Sequence, residues 1–356
     1  MPLDRRIQTL FGIDLPILQA PMAGAQGSAM TIAVSEAGGL GALPGAQLTA
    51  ETMRAELSLI RQRTAKPINL NFFCHTPPAP DAAREQRWRE RLGPYYREFG
   101  IDPAAPIPSA GRTPFDASFA AIVEEFRPEV VSFHFGLPEA ALLARVKAAG
   151  AKVISSATTA DEARWLEDHG ADAIIAQGYE AGGHRGIFLT EDIGNQPGLF
   201  ALLPQVVDAV DVPVIAAGGI ADARGIVAAF ALGASAVQIG TAYLFTPEAT
   251  ITPMHREALR QAKDDGTALT NLFTGRPARG LVNRLMREAG PLSDVAPAFP
   301  TAGGALAPLK AKAEAAGSGD FSSLWSGQAA ALGREMGAGD LTRTLWSETL
   351  ERLRMA

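Results

Sequence analysis

Short apolar runs alternate with longer amphipathic stretches from about residue 16 to residue 239. The runs, such as Ile174-Ile175-Ala176, have the length and β-branched composition of buried parallel strands. The stretches between most of them have helical length, and Thr49 is a good N-cap for one of these helices. The predicted strands are 16–22, 40–43, 67–73, 130–135, 152–156, 171–176, 213–217 and 235–239.

This alternation predicts the fold class, α/β. Successive strand–helix units require parallel strands joined by helical crossovers. Eight such units most simply close into a (β/α)8 TIM barrel. The carboxyl ends of the strands then meet at one face, where barrels of this class place their chemistry. Functional residues are therefore expected in the segments that directly follow the strands.

Two parts of the chain depart from the alternation. Residues 75–114 hold eight prolines around one charged helix near residues 81–97, which predicts an excursion over the barrel mouth. Beyond about residue 245, helical patterns at Met254–Asp264 and Leu281–Ala289 predict a small, mainly helical cap.

Two more amphipathic helices, Phe321–Arg334 and Asp340–Met355, are expected to pack back on the barrel. The predicted parts are a barrel (1–245), a cap (246–315) and C-terminal helices (316–356).

Composition and charge narrow the class of protein. The chain has 356 residues, 47% of them hydrophobic, and a net charge of −6, so no general attraction to nucleic acid is expected. It contains no apolar run long enough to span a membrane, and residues 1–6 lack the apolar core of a signal peptide. The single cysteine, Cys74, suits a reducing compartment and is interpreted as a small buried hydrophobe. These features predict a cytoplasmic protein.

The stretch from Gln177 to Gly186 carries the densest chemistry. It follows a buried strand and combines four glycines with one imidazole, one guanidinium and one carboxylate. Glycines let a backbone take left-handed angles and approach a ligand closely. A flexible surface loop with a merely solvated His184 is the alternative interpretation.

Two glycine turns follow the last two predicted strands, at Ala217–Ile220 and Gln238–Thr241. Loops at these positions of a barrel often bind phosphate, so a phosphate-bearing ligand is predicted; tight turns without a ligand are the alternative. The chain has neither the GxGxxG nor the GxxxxGK[ST] fingerprint. The amides of Asn71, Gln177 and Gln238 fall at or near strand ends, and amides suit the edge of a flavin ring better than a metal.

Histidines supply the remaining candidates. His134 and His184 lie at or just past strand ends, and His75 also follows a strand. A core histidine bonded to backbone is the alternative for His134. His169 at a helix C-terminus is expected to serve the helix dipole, and His255 is expected to be structural. No pair of His, Cys or carboxylate residues shows helical metal-ligand spacing, so no metal is expected.

Several segments together resemble one family. The resemblance is to the nitronate monooxygenases, formerly called 2-nitropropane dioxygenases, which bind FMN non-covalently in a TIM barrel. It runs in order from about residue 7 to residue 245 and more loosely through Phe321–Gln328; EAGGHRG at 180–186 is specific to the superfamily. The segments are Gln19–Gly24, Asn69–Phe73, Ser132–Gly136, Gly178–Gly186 and Gln238–Thr241.

The resemblance implies roles for individual residues. His184 would be the base or the imidazole facing the substrate, and His134 a second polar group near it. Well-characterised members carry tyrosines in the substrate pocket, whereas Ala298–Ala305 has none here. The resemblance therefore implies the flavin site more directly than it implies the substrate. The implied FMN contacts are the backbone of Met22, with Asn71, Gln177, Gly182, Gly219, Gln238, Ile239, Gly240 and Thr241.

The implied activity is FMN-dependent oxidation of an alkyl nitronate by O2 to a carbonyl compound and nitrite. A neutral nitroalkane would first lose its α-proton to His184. A homodimer is left open. Two alternatives remain: an NAD(P)H-dependent flavin reductase of the same superfamily, acting on a quinone or enoyl thioester, and a non-catalytic flavin- or phosphate-binding protein.

Overall fold

The computed structural model describes residues 3–104, 106 and 112–355, and its central feature is an eight-stranded parallel sheet. The strands follow the order β1-β9-β8-β6-β5-β4-β3-β2, and a bridge between Leu18 and Leu40 joins the two ends. The predicted TIM barrel is therefore confirmed. The strands are β1 (Ile17–Gln19), β2 (Gly41–Pro44), β3 (Ile68–Phe73), β4 (Val130–His134), β5 (Lys152–Ala157), β6 (Ala173–Gln177), β7 (Gly183–His184), β8 (Val214–Ala217), β9 (Ala236–Ile239), β10 (Thr267–Thr270) and β11 (Ala278–Leu281).

Helices cover the outside of the barrel and one end of it. Helix α1 closes the amino end, where its Ile7 and Phe11 pack with the strand residues Val130, Ala173 and Ala236. No helix of the described ranges is long and apolar enough to cross a membrane. The helices are α1 (Arg6–Phe11), α2 (Ser28–Glu36), α3 (Ala50–Arg63), α4 (Ala82–Glu98), α5 (Ala117–Phe126), α6 (Ala140–Ala148), α7 (Ala160–Asp168), α8 (Leu199–Val207), α9 (Ala223–Ala231), α10 (Pro253–Arg260), α11 (Arg284–Ala289), α12 (Ala302–Ala315) and α13 (Ala338–Met355).

Strand parity separates an apolar interior from a polar one. Side chains alternate between the two faces of a strand, so every second residue points into the barrel. Along β6 the inward residues are Ala173, Ile175 and Gln177, whereas Ile174 and Ala176 pack among the helices. The interior is thus apolar at the amino ends and polar at the carboxyl ends. This places the site at the end opposite to α1.

The excursion between β3 and α5 packs on the cap. Its helix α4 matches the predicted charged helix. Trp88 donates from Nε1 to the Ala302 carbonyl at 3.1 Å, and Tyr96 donates to the Ala305 carbonyl at 2.5 Å. The predicted excursion includes positions 105 and 107–111, which lie outside the described residues.

The cap contains helices as expected, and also a strand pair that the sequence did not predict. Strands β10 and β11 form an antiparallel hairpin, and β11 pairs in turn with β7, opposing Ala278 to His184. The helix predicted at Leu281–Ala289 begins later, at Arg284, because the Asn283 side chain accepts from Met286 N and caps it there. The predicted start of that helix was therefore wrong.

The helix predicted at Phe321–Arg334 is also wrong. This segment contains a 3-10 turn at Ala330–Leu332 and an antiparallel bridge from Trp325 to Gly280, and its polar backbone bonds to other parts of the chain. The Leu324 carbonyl accepts from Leu281 N at 2.8 Å, and Gly327 N donates to Thr241 Oγ1 at 2.9 Å. Backbone groups used between segments cannot also form a helical ladder. The last predicted helix is confirmed as α13, which packs on α2 and α9.

Candidate active site

A cavity of about 340 Å³ opens at the carboxyl ends of the barrel strands. Its volume lies within the range of ligand pockets, roughly 300–1,000 Å³. Of the sequence-derived site residues, Ile239 does not line it, because parity turns this side chain toward the helices and its carbonyl accepts from Ala20 N. The others line it: Met22, Asn71, His134, Gln177, Gly182, His184, Gly219, Gln238, Gly240 and Thr241.

The glycine turns after β8 and β9 form one wall of this cavity. Gly218 and Gly219 have φ values of +114° and +68°, a left-handed backbone that favours glycine. Within the described residues, the N–H groups of Gly219 and Gly240 donate no hydrogen bond. Two cavity-lining residues with free backbone N–H groups are suited to bind phosphate oxygens.

The loop from Gly178 to Gly186 is held together from inside by Arg185. Its buried guanidinium donates to the carbonyls of Gly178 at 3.1 Å and Gly183 at 3.0 Å, and also to those of Ala181 and Gly182. Burial lowers the pKa of Arg185 to about 9, and the neighbouring Arg279 adds to the effect. The loop is thus an internally bonded ring, and Arg185 points into it instead of toward a ligand.

His184 stands on this ring, at the cavity. His184 Nε2 lies 3.0 Å from the Thr274 hydroxyl oxygen, which lies 3.3 Å from the Arg276 carbonyl. In the tautomer in which this hydroxyl donates to the carbonyl and accepts from Nε2–H, the free lone pair is on Nδ1. The pKa of His184 lies well below its ordinary value, chiefly through burial and then through Arg112, His134 and Arg276. The imidazole is therefore neutral near pH 7.

His134 uses both of its ring nitrogens within the protein. Nε2 donates to the backbone carbonyl of His184 at 3.1 Å, and Nδ1 accepts from the Ser156 hydroxyl at 3.1 Å. Burial lowers the pKa of His134 to about 3, so the ring is neutral. This is the backbone-bonded arrangement that the sequence left open as the alternative for His134.

The three amide side chains differ in which of their polar atoms have hydrogen-bond partners within the protein. Gln177 accepts from Gly186 N at 2.7 Å and donates to the His184 carbonyl at 3.0 Å, so its amide ties down the loop. Asn71 donates to Ser132 Oγ at 3.0 Å. Gln238 Oε1 is buried with no partner among the described residues. A buried acceptor without a donor is costly, so Gln238 is the amide best placed to meet an N–H edge of a bound ring.

Aromatic rings and cations surround His184, and the sequence patterns did not find them. The His184 ring lies 5.3 Å from the Phe299 ring and 5.6 Å from that of Trp325. Arg276 has its Cζ 4.0 Å from the Phe135 ring, and Arg112 lines the cavity. Phe135 directly follows β4, whereas the other four come from the excursion and the C-terminal part, where no strand-end pattern marks a position. In the described ranges no group of His, Cys, Asp and Glu is arranged to bind a metal.

Comparison with known proteins gives a consistent assignment. The family model described as nitronate monooxygenase matches residues 4–348. A nitronate monooxygenase of Pseudomonas aeruginosa is 44% identical, over 96% of this chain and 98% of its own. One of Paraburkholderia phytofirmans is 42% identical, over 98% and 97%.

Solved structures agree on the whole fold. A nitroalkane oxidase from Streptomyces ansochromogenes has a TM-score of 0.89 and 40% identity, covering 99% of this chain and 100% of its own. FabK from Thermotoga maritima is less similar, with a TM-score of 0.72, 28% identity, and coverage of 98% and 97%. Both similarities span the barrel and the C-terminal part alike.

Proposed function

The chain belongs to the nitronate monooxygenase family, and from this premise we propose that it oxidises alkyl nitronates with O2, with FMN as its flavin, to a carbonyl compound and nitrite. One observation carries the choice of substrate. A neutral imidazole, His184, faces a cavity whose nearby fixed charges include the guanidinium groups of Arg112, Arg276 and Arg185. These positive charges stabilise a small anion near the His184 imidazole.

The residues at the cavity fit a flavin mononucleotide. The free N–H groups of Gly219 and Gly240 would hold the phosphate, and the unpartnered Oε1 of Gln238 would accept from the ring edge. Bound FMN supplies the electron-transfer chemistry, which no side chain offers. A dinucleotide would bring a second phosphate, and the chain lacks the GxGxxG sequence motif that binds dinucleotides.

His184 acts on the substrate through Nδ1, because Nε2 is held by Thr274. A nitroalkane must lose its α-proton, and Nδ1 is the free base at the site. Its lowered pKa makes it a weak base, so nitronates, which are already anions, are the better substrates. His134 and Gln177 both bond to the His184 carbonyl and set the position of the ring.

An aerobic assay with propionate 3-nitronate and a separate anaerobic mixing with NADH test this function. We expect O2 consumption with matching nitrite release from the nitronate, and no prompt bleaching of the flavin by NADH under anaerobic conditions. Free FMN with heat-denatured protein is the control. Bleaching by NADH without nitronate turnover would establish the reductase, and neither reaction would leave a binding protein.

A further inference from the structure

Arg112 and His184 both lie next to the aromatic ring of Phe299. The Arg112 Cζ lies 5.6 Å from the centroid of Phe299, and the His184 ring lies 5.3 Å from the same centroid. Arg112 and His184 both line the cavity, and the charge of Arg112 is the largest Coulombic contribution that lowers the pKa of His184. The guanidinium is therefore part of the surroundings of the reacting imidazole.

This guanidinium has no anionic partner among the described residues. No carboxylate forms an ion pair with it, although every Asp and Glu of the chain lies within the described ranges. Its side chain donates no hydrogen bond to any described residue either. Arg112 is partly buried, and this burial lowers the pKa of its guanidinium. A partly buried charge without a partner is stabilised by a ligand that provides the counter-ion.

The other cations of the site are already used. Arg185 donates from both of its terminal nitrogens to carbonyls of its own loop, as described above. Arg276 lies over the Phe135 ring at 4.0 Å and donates to the Ile187 carbonyl. Arg112 differs from both because its hydrogen-bonding groups remain available at the cavity.

We propose that Arg112 recognises the anionic oxygens of the substrate. This inference rests on the proposed function. A nitronate carries its charge on two oxygens of one planar group, the shape that a guanidinium fork binds through two parallel hydrogen bonds. Ala298–Ala305 supplies Phe299 to this region and no tyrosine hydroxyl, so the polar contact comes from the excursion instead. Arg112 thereby favours anionic over neutral substrates.

Two substitutions separate charge from fork geometry. Arg112→Met removes both, and we expect the KM for ethylnitronate to rise about ten- to hundredfold, with a smaller change in kcat. Arg112→Lys keeps a point charge without the fork and should fall between wild type and Arg112→Met. KM for neutral nitroethane should change by less than about threefold, because it offers no anion to pair. Arg164→Met removes an exposed arginine and serves as the charge-matched control.

A structural role for Arg112 predicts a different result. In that case Arg112→Met would reduce flavin content and thermal stability and would raise the KM for nitronate and for nitroethane equally. This result would overturn the proposal. Equal KM for nitronate in wild type and Arg112→Lys and Arg112→Met likewise overturns it. In Arg112→Met the ring signals of His184 should titrate at higher pH than in wild type, because a nearby positive charge is gone.

Nitrate, a planar oxyanion, tests recognition without turnover. Isothermal titration of flavin-loaded protein should show nitrate binding that Arg112→Met weakens at least tenfold and Arg164→Met leaves unchanged. Nitrate binding that depends on Arg112 in a protein that does not oxidise nitronates would sink the proposed function and support the anion site. Nitronate turnover together with nitrate binding that Arg112→Met leaves unchanged would support the proposed function and overturn the anion site at Arg112.

Discussion

His134 bonds to the backbone of His184: Nε2–H of the first imidazole donates to the carbonyl oxygen of the second residue at 3.1 Å. The Ser156 hydroxyl holds the other nitrogen of His134. Two histidines that look equivalent from their places at strand ends therefore have different tasks. Both line the cavity, but His134 uses its two ring nitrogens within the protein and so helps to fix the position of His184.

His134→Gln should be much milder than His134→Ala. A glutamine amide can still donate to the His184 carbonyl, whereas alanine leaves that oxygen without this partner. The lost bond predicts a fall in nitronate kcat of roughly five- to hundredfold for His134→Ala and a fall of less than about fivefold for His134→Gln. Steady-state kinetics at equal flavin content measures this. Equal damage in both variants would mean that the imidazole itself contacts the substrate.

His184→Asn should separate proton removal from binding. If Nδ1 takes the α-proton, turnover of neutral nitroethane falls by roughly 10²-fold or more, the usual scale of general base catalysis. Preformed ethylnitronate should lose less, because its proton is already gone. Flavin content stays near wild type. Equal losses on both substrates would reduce His184 to a positioning role, and no loss on either would exclude it from the reaction.

Because of its buried histidines, the protein should lose free energy of unfolding as the pH is lowered below about 6.5, the ordinary pKa of histidine. Burial lowers the pKa of His134 to about 3 and that of His255 to about 4. The unfolded chain therefore binds protons first, and the stabilisation present above pH 6.5 is lost as pH falls toward the folded values, by up to about 1.4 kcal/mol per pH unit for each histidine.

Urea unfolding between pH 7 and 5 measures this effect above the carboxylate range. His255→Gln is the matched variant, because glutamine retains a donor for the Trp325 carbonyl that His255 Nε2 bonds at 3.1 Å. Its stability should depend less steeply on pH than that of wild type. A flat profile in the wild type would contradict the neutral buried state of these rings.

Gly219→Asp should weaken FMN binding severely and leave the barrel folded. The new carboxylate would stand beside the free Gly219 N–H, where it repels a phosphate, and φ here is +68°. Gly219→Asn is the matched control, since asparagine has the same shape and tolerates left-handed backbone. Flavin release followed by fluorescence should show at least tenfold weaker binding for Asp than for Asn. Equal binding would place the phosphate elsewhere.

Gly182→Ala and Gly183→Asn form a contrasting pair in the same loop. A Cβ at Gly182 would lie 2.6 Å from Gly327 N, too close for any real contact, so the C-terminal segment must shift. We expect the free energy of unfolding to drop by about 1–3 kcal/mol, with loss of flavin. Gly183 has φ +69° and no atom within 4 Å of its Cβ position, so asparagine should be accepted. Similar stability of the two variants would refute the close packing at Gly182.

Local patterns predicted the barrel and the strand-end residues because both depend on short-range periodicity. Parity along β6 places Gln177 at the cavity, and the position of Gly219 after β8 follows from counting strands. Periodicity does not name distant partners. Nothing near Thr274 indicates that its hydroxyl meets His184, and nothing near Leu324 indicates that its carbonyl accepts from Leu281.

The same reason explains the misassigned helices. The apolar spacing in Phe321–Arg334 satisfies a helical pattern, yet its backbone N–H and C=O groups are used by Arg279, Leu281 and Thr241. Arg112 was missed because a single arginine among glycines and prolines carries no periodic signal. Its significance comes from what surrounds it, which only the folded chain shows.

The pairing of β7 with β11 ties the reactive loop to the cap as one cooperative unit. Arg185 N donates to the Pro277 carbonyl at 2.9 Å, so this amide can exchange its hydrogen with water only when the hairpin detaches. Any fluctuation that opens the hairpin also displaces the imidazole of His184. The position of His184 therefore depends on a hairpin that lies outside the barrel. Cleavage of the chain near residue 245 would disable the site, although every strand of the central sheet would remain.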